Sequence, residues 1–183
     1  MLFNSIEFFI FLPIVFGLYW LIGSSRLNIQ NVLIAISSYV FYGWWDWRFL
    51  FLILFSTAVD YSIGLALNTS ENRTRRKALL WISICVNLGF LGFFKYYNFF
   101  IESLIDSFTF FGSPLNLSTL QIILPVGISF YTFQTLSYTI DVYNKKLKPT
   151  RNLVGFMAFV SFFPQLVAGP IERATNLLPQ FSK

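Results

Sequence analysis

Five stretches of this chain carry no charged side chain: Phe8 to Ser25, Leu27 to Trp45, Ala78 to Phe94, Ser107 to Ile140 and Asn152 to Ile171, of 18, 19, 17, 34 and 20 residues. A helix needs about 20 predominantly apolar residues to cross a bilayer, so four of these runs are each one span long and the 34-residue run has room for a span and a loop. Charged side chains make up only 11% of the 183 residues, against roughly 25% in an ordinary soluble domain. This distribution excludes a soluble enzyme, a disordered chain and a disulfide scaffold. The fold expected is all-α: a polytopic helical membrane protein with about five to six membrane helices plus interfacial or re-entrant helices, forming a single transmembrane domain over residues 1–183.

The spans are expected at about 6–22, 28–45, 49–67, 78–94 and 120–142. A sixth apolar segment, 152–169, is interrupted by Pro164 and by Gly169-Pro170. Between the fourth and fifth, segment 96–110 spaces Asn98, Glu102 and Asp106 four residues apart, on one helix face, which suits a helix lying in the membrane interface. Simple extension of the fourth span is the alternative. Trp44, Trp45 and Trp47 beside Tyr42 read as an aromatic belt at the end of the second span.

Orientation follows from the basic residues. The turn with Arg26, the loop 68–77 and the loop 144–151 hold nine of the 13 Lys and Arg: Arg26, Arg73, Arg75, Arg76, Lys77, Lys145, Lys146, Lys148 and Arg151. The positive-inside bias puts that side in the cytoplasm and the N-terminus outside. Bases confined to short loops between apolar segments point to membrane orientation and not to nucleic acid. No Lys or Arg precedes the first apolar run and Glu7 lies at its start, so the run is expected to stay as an anchor helix and not to be cleaved as a signal peptide. The glycosylation-type sequons at Asn68, Asn72 and Asn116 are read as chance.

Two absences narrow the chemistry. There is no histidine, and Cys85 is the single cysteine, inside an apolar run. Histidine is the commonest general acid or base and the commonest metal ligand, so neither a metal centre nor a Ser-His-Asp triad is on offer.

Polar groups within the apolar runs therefore carry the argument. An ionisable residue inside a span costs at least ~2.5 kcal/mol on insertion scales and should face protein or a water-filled cavity. Asp60 lies about eleven residues into the third span, with Ser56 and Thr57 one turn earlier on its face. It is either part of a polar pathway or a buried acid paired with a base or hydroxyl of a neighbouring helix. In the fifth span Gln134, Ser137, Tyr138 and Asp141 follow the i, i+3, i+4, i+7 pattern and share a face, while Thr132, Thr135 and Thr139 form a second polar edge. Seven polar groups in ten residues place this helix inside a bundle. Interhelical hydrogen bonds and a hydrated passage for a substrate explain the pattern equally well. The sequence Phe162-Phe163-Pro164-Gln165, then Gly169-Pro170-Ile171-Glu172-Arg173, should bend or end a helix, which suggests a kinked or re-entrant element. Gln165, Glu172 and Arg173 are its candidate vestibule residues.

At these residues a resemblance becomes specific. LPVGISFYTFQTLSYTIDVY (124–143) and SFFPQLVAGPIERA (161–174) resemble signature segments of the membrane-bound O-acyltransferase family, in the branch of alginate O-acetyltransferases and related polysaccharide acetylases. FYGWWDWRFL (41–50), STAVDYSIG (56–64) and FFKYYNFF (93–100) are similar to earlier family segments in the same order. The resemblance implies a membrane enzyme that moves an acetyl group from a cytoplasmic thioester donor, acetyl-CoA or an acyl carrier, toward hydroxyls of an exported polysaccharide such as alginate. Membrane lipid, the polysaccharide acceptor and a periplasmic acetyltransferase are the partners it implies.

Family members are roughly twice this length or more, and their hallmark histidine lies in a later helix. No residue here inherits that role. The expectation is an N-terminal portion, truncated before the catalytic region and inactive alone, in which Gln134, Ser137, Tyr138 and Asp141 line the acyl path. A non-catalytic membrane subunit or an inert truncated product is the alternative.

Overall fold

A computed structural model describes residues 4–110, 127–170 and 172–182. Among them lie α1 (Ile6–Ile22), a 3-10 turn (Ser24–Arg26), α2 (Leu27–Asp46), α3 (Arg48–Thr69), α4 (Arg73–Phe110), α5 (Ile128–Tyr143), α6 (Leu153–Ser161), α7 (Phe163–Ala168), α8 (Ala174–Leu177) and a second 3-10 turn (Leu178–Phe181). The described residues contain no strand. The chain is a helical membrane protein: α3 and α4 are long and apolar enough to cross a bilayer, and α1 and the stretch Leu153–Leu166 are shorter apolar helices.

Local chemistry sets the boundaries. Ser5 caps α1 by accepting from the Phe8 N–H at 3.3 Å, and Gly23, at φ +72°, ends it in a conformation costly for any residue with a Cβ. Asn72, the centre of one of the sequons, caps α4: its Oδ1 accepts from the N–H groups of Thr74 and Arg75 at 2.9 and 3.2 Å. At the α2–α3 corner Asp46 grips Arg48 through both carboxylate oxygens. The guanidinium hydrogen bonds hold the Asp46 carboxyl below its ordinary range.

α5 is the central helix, packed against α3, α4, α6, α7 and α8. It is shorter than the expected 120–142 span. Its 16 residues begin only after Gly127, whose φ of +77° breaks the helical path, and run to Tyr143; 120–126 lie outside the described residues. α1 buries no residue and attaches by its rings. Phe11 meets Phe163 at a centroid distance of 5.5 Å and Phe8 meets Phe41 at 6.0 Å, in edge-on geometry.

Two expectations are corrected. Segment 96–110 is not a separate interfacial helix but the continuation of α4, which runs unbroken for 38 residues. No Pro or Gly lies between Phe93 and Phe110 to stop it. At 1.5 Å per residue it is roughly 57 Å long, almost twice the hydrocarbon thickness. Tyr42 does not belong to the aromatic belt: Trp44, Trp45 and Trp47 are exposed, whereas Tyr42 is buried.

The segment after Asn152 is re-entrant. α6 enters beside α2 and breaks at Phe162, where Ser38 Oγ accepts the Phe163 N–H. Pro164 sits in the first turn of α7, where its missing N–H costs nothing, so the break falls before it. α7 brings the Leu166 carbonyl against Gly127, which the Tyr42 hydroxyl also approaches. After Gly169 and Pro170 the chain returns, until the Phe181 carbonyl accepts from Asn31 Nδ2 at 2.7 Å, one turn inside α2.

Candidate functional site

The densest polar cluster ties α3, α4 and α5 together around Asp60, which is fully buried. Oδ1 accepts from Ser83 Oγ at 2.5 Å and Thr139 Oγ1 at 3.2 Å, and Oδ2 accepts from Asn87 Nδ2 at 2.7 Å. Asn87 Oδ1 in turn accepts from Ser56 Oγ at 2.9 Å and Thr135 Oγ1 at 3.1 Å. An acceptor-only carboxylate is thus met by three donors, and the amide that supplies one of them turns its own oxygen to two hydroxyls. Asp60 is partnered by hydroxyls and an amide; no Lys or Arg ion pair with it occurs among the described residues.

The two polar edges of α5 separate in function. Thr135 and Thr139 serve the Asp60 cluster. On the other face, Gln134 Nε2 donates to the Phe159 carbonyl of α6 at 2.7 Å, and Ser137 Oγ turns back onto the Gln134 carbonyl at 2.8 Å. Tyr138 is fully buried, with its ring 4.6 Å from that of Phe156. Its hydroxyl lies against Gly64 and near the Thr150 backbone. A Cβ on Gly64 would fall 2.8 and 2.9 Å from Tyr138 ring carbons, so only glycine admits this ring. Asp141 lies one turn nearer the end of α5; its side chain is buried, and its carbonyl accepts from the Lys146 and Leu147 N–H groups.

The vestibule candidates lie apart from that face. Gln165 is buried on α7 and donates through Nε2 to the Pro170 carbonyl at 3.2 Å. Its Oε1 is buried and finds no partner among the described residues, and the same holds for the hydroxyl of Tyr42. The Tyr42 hydroxyl lies against Gly127, as does the carbonyl of Leu166, the residue after Gln165 on α7. A buried polar atom left without a partner is rare in native proteins and marks a place where a substrate, water or ion can bond. Glu172 and Arg173 are both exposed, and Glu172 accepts only a 3.4 Å contact from Asn176.

The basic end is closed by Arg76. Its guanidinium donates to the carbonyls of Leu67, Ser70, Val142 and Tyr143, the last at 2.6 Å, and it stacks on the Tyr143 ring. Tyr61 Oη donates to the Arg151 carbonyl at 2.8 Å, and Asn152 Nδ2 to Asn28 Oδ1 at 3.1 Å. The turn at Arg26, the α3–α4 junction, where the expected loop 68–77 is reduced to residues 70–72 and its four bases lie at the start of α4, and the loop 144–151 therefore gather at one end of the bundle.

Ser83 and Asn87 were not singled out from sequence; Tyr42 was read only as part of an aromatic belt, and Arg76 only as one of the orienting bases. The signal for the first two was present as a Ser and Asn pair four residues apart in an apolar run. Arg76 is one base among four in its loop, with nothing local to distinguish it.

The chain is 45% identical over 184 residues to the Pseudomonas aeruginosa protein named "Probable alginate O-acetylase AlgI", a match covering 100% of this chain and 35% of that protein. The Azotobacter vinelandii protein of the same name is 45% identical over 185 residues, covering 100% and 36%. The Helicobacter pylori protein named "Peptidoglycan O-acetyltransferase" is 29% identical over 208 residues, covering 99% and 38%. The chain spans little more than a third of the length of these curated relatives. No family model and no solved structure matches it.

Proposed function

We propose that this chain, which belongs to the membrane-bound O-acyltransferase family and matches its alginate O-acetylases over about a third of their length, forms part of the membrane path by which acetyl groups reach hydroxyls of an exported polysaccharide. The observation that carries the reading is 45% identity, sustained over the whole chain, to proteins named as alginate O-acetylases. The donor is an acetyl thioester, acetyl-CoA or an acyl carrier, on the cytoplasmic side. The acceptor sugar, with a periplasmic acetyltransferase as partner, lies on the other. The setting is a bacterial inner membrane, crossed several times, with the basic loops in the cytoplasm and the N-terminus outside.

In this reading Gln134, Ser137, Tyr138 and Asp141 line the acyl path, while Gln165, Glu172 and Arg173 shape its mouth. The unpartnered Gln165 Oε1 and Tyr42 hydroxyl support a polar surface at that level. Moving an acyl group from sulfur to a hydroxyl requires removal of the hydroxyl proton by a base within hydrogen-bond reach, worth typically about 10²- to 10⁴-fold. This chain has no imidazole to do so. We assign the base outside residues 1–183 and expect little or no acetyl transfer from them alone.

The test is polysaccharide-bound acetyl in cells expressing the full-length protein with Gln134→Ala or Asp141→Asn. At least tenfold less acetyl, with normal amounts of protein in the membrane, is expected. Wild-type acetylation by both variants would remove the path-lining roles.

A further inference from the structure

Two cavities adjoin at the start of α2, at the basic end, and their linings differ. One, of about 390 Å³, is walled by Ser25, Arg26, Asn28, Asn152 and Ser182. The other, of about 400 Å³, runs between α1, α2 and the returning segment; Val15, Phe16, Trp20, Ile34, Phe162 and Leu177 are among its walls. Leu27 and Phe181 border both, so the polar cavity opens beside the apolar one. Neither is lined by an acid. The Arg26 side chain is exposed, with no carboxylate partner among the described residues. The wall between the cavities is fixed: Asn31 donates to the Phe181 carbonyl and Gln30 to the Tyr19 carbonyl.

From this juxtaposition we propose that the paired cavities bind one anionic phospholipid of the leaflet on the basic side, its phosphate beside Arg26 and Asn28 and an acyl chain in the groove under α1. A free anion has no use for the apolar groove, and a zwitterionic lipid, whose phosphate is offset by its own cation, gains less from the arginine. The gathered loops make this end of the molecule basic, which complements an anionic headgroup. An apolar slot of this size that opens within a membrane protein suits a hydrocarbon chain. The site is independent of the acetyl path proposed above.

The experiment is native mass spectrometry of the full-length protein, purified in detergent and offered phosphatidylglycerol, phosphatidylcholine or inorganic phosphate. One phosphatidylglycerol retained per chain is expected, with phosphatidylcholine retained less and phosphate unable to displace the lipid. Arg26→Gln should weaken phosphatidylglycerol retention about fivefold, the effect of one base near an anionic surface, and weaken retention of phosphatidylcholine, whose phosphate is offset by its own choline cation, less. Val15→Trp, which fills the groove, should weaken both lipids. Equal retention of the two lipids, displacement by phosphate, or indifference to Arg26→Gln would each overturn the proposal. So would absence of bound lipid, the result if a protein segment or an acyl thioester occupies the groove.

Discussion

Asn87 does more for the polar core than the acid it serves. Its amide nitrogen satisfies Asp60 Oδ2 and the Ser83 carbonyl, and its oxygen accepts two hydroxyls from two other helices. Asn87→Leu would strand Asp60 Oδ2 and the Ser56 hydroxyl, while the Thr135 hydroxyl keeps its bond to the Thr132 carbonyl. A stranded buried group costs about 1–3 kcal/mol, more if charged, so a loss near 3 kcal/mol is expected. Asp60→Asn keeps the shape and one acceptor, and the Ser83 hydroxyl can reverse its role, so a loss of about 1 kcal/mol is expected, near the modest worth of hydrogen bonds between membrane helices. Unfolding by SDS titration in mixed micelles measures both, and equal losses would show that the network is not organised around Asn87. Asp60 was legible in the sequence because an acid in hydrocarbon demands explanation. Its partners were not, since a Ser or Asn within a span costs too little to stand out. Which polar edge of α5 would meet it was equally hidden: Thr135 and Thr139 turned toward the acid, whereas Gln134 turned toward α6. Spacing defines a face, but only packing decides its neighbour.

α3 and α5 approach closely where Gly64 faces Tyr138. Gly64 lets the Tyr138 ring sit against the backbone of α3, and a methyl group there must displace the ring or separate the helices. Overpacking of this kind costs typically about 1–3 kcal/mol. Gly64→Ala is expected to lose that much, and Tyr138→Leu in the same background should recover part of it, a coupling readable from a double-mutant cycle. Additive losses would mean the two side chains do not compete for one space. At the basic end, Arg76→Leu removes donors shared by the carbonyls of Leu67, Ser70, Val142 and Tyr143. Amide exchange should quicken at 67–72 and 142–147 together, while exchange in the middle of α5 stays slow; acceleration at only one of the two would break the claimed link. Element boundaries were less legible than element existence. The acids at four-residue spacing after Lys95 suggested a new helix in the interface, yet spacing that favours one helical face equally favours continuing the helix already begun. Pro164 marked the re-entrant break within two residues, because proline is disruptive inside a helix but welcome in its first turn.

The molecule's sidedness follows from its joints more firmly than from its charges. The positive-inside bias groups the basic loops statistically, whereas Arg76 joins loop 68–77 to the end of α5 by hydrogen bonds, and Asn152 joins loop 144–151 to the start of α2. Those loops must share one side whichever way the protein inserts. The α2–α3 corner at Trp47 lies some 20 residues along α2 from Leu27, roughly 30 Å away, the full hydrocarbon thickness. In a Cys85→Ala background, single cysteines at Ser25, Glu71 and Lys146 are expected to react with a membrane-impermeant maleimide only after the inner membrane is opened. One at Trp47 is expected to react in intact spheroplasts. These four positions are exposed and lie outside the Asp60 cluster, so the fold should tolerate the substitutions. Reaction of all four positions in reverse would invert the expected orientation. Reaction of Glu71 and Lys146 from opposite sides would be more damaging, since no packing that retains the Arg76 contacts can separate them by a bilayer.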